Sequence, residues 1–314
     1  MPSEGDALPA FRPDHFLVNL AARGLIGLAL ALPYPWRVRF VGWLMRRVIG
    51  PLAGYGTRAR ENLALIWPEK LEAERAAIAA ASLDNAGRTL IENYSTRAFL
   101  DRAKGIEPEG PGYGALIEAR NARRPVILVS GHFGNYEAAR AALVARGFDI
   151  GGLYRNLSNR YFNAHYVRTM QAFGGPVFPQ GRAGTAGFVR HLKDGGQLVL
   201  LFDQDVPGAP VLPFLGHPAR TALSAAELAL RLKADLIPFF AIRQPDGLSF
   251  RVELDVPVPP SDPETMMRAV TVALETLILA HPGQWFWIHR RWKARREPLL
   301  EGSEHLENMS ENLS

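Results

Sequence analysis

The sequence predicts an α/β fold, a mixed central sheet flanked by helices, and three patterns in it lead there. Short apolar and β-branched runs read as strands: VILVS at 126–130, then 149–154, 197–202, 236–242 and 249–255. Between them lie stretches of helical character at 134–146, 159–173, 184–194, 223–234 and 263–280, and such alternation argues for a sheet with helices packed on it. Apolar residues make up 47% of the 314-residue chain against 21% charged, enough to bury one large core, and no repeat, low-complexity tract or linker divides it.

Ahead of the core, Phe16 to Leu32 reads FLVNLAARGLIGLALAL, broken only by Asn19 and Arg23 and stopped at Pro33-Tyr34-Pro35-Trp36. A spanning helix needs about 20 apolar residues, and a central arginine costs roughly 2.5–3.5 kcal/mol on insertion scales. The segment is therefore expected to be a hydrophobic membrane-anchor helix that lies in the interface or barely crosses, with an ordinary buried helix as the alternative. Trp36, Trp43, Arg37, Arg39, Arg46 and Arg47 follow at headgroup level, and if the segment crosses, these cations put the main domain in the cytoplasm. Glu4 and Asp6 make a cleaved signal peptide a poor fit.

Residues 57–100 read as a helical preface interrupted at Pro68, with Leu63, Ile66, Ile78, Leu83, Leu90 and Ile91 on an apolar stripe. Asp203 to Arg220 reads as a long Pro- and Gly-rich connection, and long structureless connections in compact domains are often functional. The expected organisation is an anchor or interfacial helix over 1–50, an α/β domain with its helical preface over 51–298, and a loose polar tail over 299–314.

A formal charge of +5 favours an anionic partner, whether a phospholipid surface, a phosphorylated substrate, an acidic protein or nucleic acid. The absence of cysteine excludes disulfides, thiolate catalysis, Fe–S clusters and thiolate zinc sites.

The chemistry-bearing stretch is SGHFGNYEAA at 130–139, where an apolar strand ends and glycines at 131 and 134 flank His132. Glu137 follows His132 by five residues, a spacing that rotates two side chains by about 140° on a regular helix. The two can meet only if His132 lies in the strand-to-helix turn and Glu137 in the first turns of the helix, with the glycines supplying backbone freedom. A histidine held by a carboxylate is a general base with a fixed tautomer. The carboxyl end of a strand is also where ligands collect in open α/β sheets. Asp203 follows the apolar run at 198–202, so if that run lies beside 126–130 its carboxylate emerges at the same edge and could orient His132 in place of Glu137 or with it. Read without function, His132 would cap a helix and Glu137 would be a solvated charge.

Five motifs in order, RENLALIWPE at 60–69, ILVSGHFGNYE at 127–137, DQD at 203–205, VLPFLGHPART at 211–221 and QWFWIHRRWKARR at 284–296, resemble those of the bacterial lipid A biosynthesis acyltransferases. These are the late lauroyl and myristoyl transferases within the His-x4-Asp/Glu glycerolipid acyltransferase group. The resemblance runs from about residue 13 to residue 297; its His-x4-acid core is widely shared, whereas the tail motif is much narrower. It implies a glycerolipid acyltransferase-like fold at the inner face of the cytoplasmic membrane, and Glu137 as the acid paired with His132. His132 would deprotonate a lipid hydroxyl that attacks an acyl thioester carried by acyl carrier protein, with no cofactor, no metal and no covalent acyl-enzyme. The absence of cysteine and of a G-x-S-x-G elbow agrees with that last point. Partners on this reading are the acidic carrier protein, an anionic lipid acceptor and the membrane surface, with the chain a monomer and no nucleic acid bound. Relatives also acylate ornithine lipids and mannolipids, so the acceptor stays open; a lipase or thioesterase, or a non-catalytic basic binding protein, are readings of other classes.

Around the base, backbone N–H groups of Gly134 and Asn135 are candidate oxyanion donors. Arg155, at the end of the 149–154 strand, could hold a phosphate or polarise the thioester. Arg182, opening the glycine-spaced GRAGTAG stretch, Asp205 of the DQD motif and Arg220 at the end of the long connection complete the candidate substrate-binding set. Trp287, Arg290, Arg291 and Lys293 interleave rings and cations, with Trp285, Trp292, Arg295 and Arg296 around them, a pattern suited to anionic headgroups or lipid phosphates. It also suits single-stranded nucleic acid, but the apolar N-terminal segment favours the membrane.

Overall fold

The computed structural model describes residues 11–293, apart from the side chains of Arg182 and Ala183. Helices come first: α1 (Pro13–Leu30), α2 (Tyr34–Leu44), a π-turn over Met45–Ile49 running into the short α3 (Gly50–Leu52), α4 (Tyr55–Ile66), α5 (Glu72–Tyr94) and α6 (Thr96–Ala103). Strands and helices then alternate: β1 (Pro108–Glu109), α7 (Pro111–Asn121), β2 (Val126–Ser130), α8 (Tyr136–Val144), β3 (Ile150–Tyr154), α9 (Arg160–Gln171), β4 (Val177–Pro179), α10 (Arg182–Lys193) and β5 (Gln197–Leu201). The chain continues through β6 (Val211–Phe214), β7 (His217–Arg220), α11 (Ser224–Leu232), β8 (Asp235–Arg243), β9 (Phe250–Leu254) and α12 (Pro263–Ala280).

Seven strands form one mixed sheet in the order β1-β9-β8-β2-β5-β3-β4, parallel throughout except where β9 runs antiparallel to β8. The five strands expected from sequence are all here, and so is the flanking of the sheet by helices; β1, β4 and α7 are additions, too short or too weakly patterned to read beforehand. On β2 every residue is buried, and alternate side chains enter opposite layers. Ile127 and Val129 pack in the layer holding Leu228, Met267 and Leu274 of α11 and α12. Val126 and Leu128 face Leu116, Ala138 and Ala142 of α7 and α8. A strand covered on both faces needs an unbroken apolar run, and VILV supplies it.

The connection after Asp203 is not structureless. Val211–Phe214 and His217–Arg220 pair as an antiparallel hairpin, with Leu215 and Gly216 at its tip both at positive φ. Phe214 is fully buried, and the Leu215 N–H donates to Glu275 of α12.

The expected N-terminal membrane-anchor helix is not found, because no helix among the described residues is long and apolar enough to cross a membrane. At 18 residues α1 is about 27 Å long. It carries Asp14, His15, Asn19 and Arg23, and it buries Asn19 and Ala29. It packs on α9, where the Asn159 amide donates to the His15 carbonyl at 2.7 Å and the Phe16 and Tyr161 rings meet edge to face at 5.6 Å. The apolar stretch is thus partly spent on contacts within the protein. The polar tail expected over 299–314 lies outside the described residues, as do Arg295 and Arg296.

Candidate active site

The site is assembled at the carboxyl ends of β2 and β5. Their parallel register aligns Ser130 with Leu201, and the Phe202 N–H donates to the Ser130 carbonyl at 3.1 Å. Two residues further on, His132 and Asp203 therefore stand side by side. Asp203 Oδ1 lies 2.7 Å from His132 Nδ1, and Oδ2 accepts the His132 backbone N–H at 2.7 Å. A third donor, the indole N–H of Trp285, reaches Oδ2 at 2.8 Å. Asp203 is fully buried, which alone would raise its pKa; the His132 ring and its hydrogen bonds, with His289 nearby, outweigh burial and hold the carboxyl below the usual range. A carboxylate facing Nδ1 places the imidazole proton there, leaving the Nε2 lone pair outward on a part-exposed ring.

The turn itself needs its glycines. Gly134 has φ +55°, and a Cβ there would stand 1.8 Å from the Ala241 carbonyl oxygen. At Gly131 a Cβ would meet Leu274 at 2.5 Å and the Asp203 carboxylate at 2.9 Å, so any side chain would push the acid away from the ring. Segment 284–286 clamps the turn: the Gly134 N–H donates to Gln284 O at 3.0 Å, and the Phe286 N–H to His132 O at 3.0 Å.

Behind the turn lies a buried polar cluster. The Arg243 guanidinium forks onto Glu92 at 2.5 and 2.7 Å, and the Asn135 amide donates to the same carboxylate at 2.9 Å. Asn85 and Thr89 both donate to the Gly134 carbonyl at 3.0 Å. Glu92 is fully buried, and this fork and amide satisfy its carboxylate oxygens in place of water.

Of the two acids expected as partners of His132, Asp203 makes the hydrogen bonds to it. Glu137 is buried in the first turn of α8, where its N–H is capped by the Asn135 side chain at 3.1 Å and its carboxylate pairs with buried Arg140 at 3.1 Å. Arg140 also donates to the carbonyls of Ile150 and Gly174. The amides expected as oxyanion donors are engaged: that of Gly134 as above, and that of Asn135 with Ala241 O at 3.3 Å.

Arg155 is exposed just past β3, one strand beyond β5 at the same sheet edge. Arg182 opens α10, but its side chain lies outside the described ones. Asp205 and Arg220 form a two-pronged ion pair, both bonds at 3.0 Å, which closes the base of the hairpin.

The tail motif is corrected in part. Trp287 and Arg291 are fully buried, so neither can touch a membrane or a lipid phosphate; their neighbours Trp285 and Trp292 are buried with them. The Trp287 and Trp292 indoles donate to the carbonyls of Pro282 and Phe214, at 2.7 and 3.2 Å. Arg291 donates to the carbonyls of Gln204 (3.2 Å) and Arg220 and to the Thr221 hydroxyl (2.5 Å), tying the two ends of the 204–221 excursion together. Burial lowers the Arg291 pKa to about 10, with Asp203 and Asp205 opposing, so it stays charged at neutral pH. Arg290 and Lys293 are exposed and line a cavity of about 950 Å³ against α4, with Arg58, Asn62, His217 and Trp292.

Sequence reasoning did not assign Trp285 as the holder of Asp203, Glu92 and Arg243 as the buried support, or His289 as a neighbour of His132. The His289 ring stands edge-on to His132, with centroids 4.5 Å apart. Burial, then the neighbouring His132 ring, depress its pKa to about 3, so it is neutral at physiological pH. Among the described residues no group of three His, Cys, Asp or Glu side chains could hold a metal ion.

An imidazole gripped by a buried carboxylate, its second nitrogen turned outward at the carboxyl edge of a largely parallel sheet, has the geometry that acid–base enzymes use for proton transfer. The chain belongs to the bacterial lipid A biosynthesis acyltransferase family, whose model matches residues 11–294. It is 27% identical over 295 residues to the lipid A biosynthesis lauroyltransferase of Escherichia coli K12, covering 91% of this chain and 94% of that one. The lipid A biosynthesis palmitoleoyltransferase and myristoyltransferase of the same organism are 25% and 23% identical, over 89% and 90% of this chain and 92% and 89% of theirs. Family membership makes this protein an acyltransferase of lipid A, and hence lipopolysaccharide, biosynthesis.

Proposed function

We propose that this enzyme transfers a fatty acyl chain from acyl carrier protein to a hydroxyl of a lipid A precursor, with His132 as the general base. The observation that carries the reading is the short bond between Asp203 and His132 Nδ1, which leaves the Nε2 lone pair, met only by the Gln204 amide at 3.4 Å among the described residues, to take a proton. The acceptor hydroxyl gives its proton to Nε2 as its oxygen attacks the thioester carbon, and the imidazolium then returns that proton to the departing thiolate. Asp203 keeps the ring oriented and stabilises its charged form; Glu137, through Arg140, holds the start of α8 and with it the turn that carries His132.

Donor, acceptor and location share one electrostatic logic. The exposed cations Arg290 and Lys293, together with Arg155, support binding of an acidic carrier protein or of phosphates on the acceptor. Exposed Leu17, Leu20, Trp36, Phe40 and Trp43 support contact with the surface of the inner membrane from its cytoplasmic side, without a spanning helix among the described residues. The relatives named as lauroyl-, palmitoleoyl- and myristoyltransferases make a long saturated or mono-unsaturated acyl chain the expected cargo.

Expression in cells lacking one late lipid A acyltransferase, followed by mass spectrometry of the lipid A, tests this. A gain equal to one acyl chain, abolished by His132→Ala, is the expected result. Release of free fatty acid with no gain in lipid A mass would overturn it in favour of hydrolysis.

A further inference from the structure

We propose that the side-chain amide of Gln204 donates to the thioester carbonyl oxygen as it becomes an oxyanion, an inference that rests on His132 acting as the base. The need for such a donor follows from the turn. A tetrahedral intermediate requires hydrogen-bond donors aimed at its oxygen. The four consecutive backbone N–H groups nearest the base already donate within the protein: His132 to Asp203, Phe133 to Gly131 O at 2.8 Å, Gly134 to Gln284 O and Asn135 to Ala241 O.

Gln204 answers that need by position and by chemistry. Its Nε2 lies 3.4 Å from His132 Nε2, the nitrogen that faces the acceptor hydroxyl. Because Asp203 keeps the imidazole proton on Nδ1, His132 Nε2 is an acceptor, and the group turned toward it is the two-donor NH2 of the carboxamide. The side chain is exposed while its main chain is locked. Asp203 on one side is buried, Asp205 on the other is paired with Arg220, and the Gln204 carbonyl is held by buried Arg291.

An acceptor hydroxyl that takes the Nε2 lone pair releases the amide, which then stands over the carbonyl being attacked. The step balances without any further reagent. The hydroxyl proton passes to His132 Nε2, the new C–O bond forms as the carbonyl electron pair moves onto oxygen, and Gln204 hydrogen-bonds that oxygen without changing its own charge. Collapse breaks the C–S bond, and the thiolate takes the proton from His132.

Steady-state kinetics of the full chain with lauroyl-acyl carrier protein and a 3-hydroxyacyl glucosamine lipid, comparing wild type with Gln204→Met, Gln204→His and His132→Ala, test the assignment. Methionine fills the space without a donor, so kcat falls about 10²–10³-fold with KM and thermal midpoint little changed. Histidine retains an N–H and recovers at least a tenth of the lost kcat. If His132→Ala is inactive while Gln204→Met keeps kcat within threefold, or loses efficiency only through KM, the Gln204 assignment is overturned and the base survives. If His132→Ala retains turnover, the base itself is wrong and the assignment falls with it.

Discussion

The indole N–H of Trp285 donates to Asp203 Oδ2 at 2.8 Å, so the acid bonded to His132 is itself held by a ring more than 80 residues further along the chain. The Trp285 carbonyl in turn accepts from the Ser82 hydroxyl on α5 at 2.5 Å, which links the helical preface to the Asp203 carboxylate. Trp285→Phe keeps the apolar filling and deletes the donor. A hydrogen bond to a charged group contributes about 1.5–3 kcal/mol, and a loss in that range is expected in urea unfolding. Turnover should fall as well, because the unheld carboxylate can rotate away from Nδ1.

Asp203→Asn and Glu137→Gln separate the two acids. The first leaves an amide facing Nδ1, which favours the wrong tautomer and should lower kcat by about 10²–10⁴-fold with little change in fold. The second strips the partner from a buried Arg140, a change that costs about 3–5 kcal/mol. Thermal melts and initial rates measured on the same preparations check both. A Glu137→Gln enzyme that melts like wild type yet has lost turnover would move Glu137 into the chemistry.

His289 predicts an acid-side slope in stability. Its folded pKa is about 3, below the unfolded histidine value near 6.5, so between these limits the unfolded chain holds a proton that the folded protein does not. Stability therefore falls as pH drops from about 6.5 toward 3, by up to about 1.4 kcal/mol per pH unit from this one residue. His289→Phe preserves the ring contact and should flatten that slope, read as the pH dependence of the urea midpoint in mutant against wild type.

Exposed Arg290 and buried Arg291 should part company on mutation. Arg290→Glu together with Lys293→Glu is expected to raise KM for an acidic carrier-protein donor about tenfold at low salt, an effect that shrinks as ionic strength rises. Arg291→Met, by contrast, removes the tie between residues 204, 220 and 221 and should show as lost stability at every salt concentration. Salt titrations of KM and of the melting midpoint distinguish the two.

The strand and helix order was readable because period-2 and period-3.6 patterning are local properties, and VILVS at 126–130 with its following glycines announced both the strand and the turn. His132 and the candidate acids were legible on the same terms, as was family membership from five motifs in order. The hairpin at 211–220 was hidden because prolines and glycines mark turns without saying which residues pair across them. The 16–32 segment misled for a related reason: its apolar count resembles a membrane helix, while its packing on α9 depends on a partner about 140 residues away.

Composition and local pattern alone determined the α/β order, the glycine-flanked histidine and the exclusion of thiolate chemistry. Three-dimensional packing decided which acid bonds to His132, because the register of β2 on β5 brings Asp203 beside it while the turn of α8 carries Glu137 to Arg140. It also decided which cations of QWFWIHRRWK face water. Interleaved tryptophans and arginines read alike whether buried or exposed, and only the closure of segment 284–292 over the turn and hairpin buries Trp285, Trp287, Arg291 and Trp292 while leaving Arg290 outside.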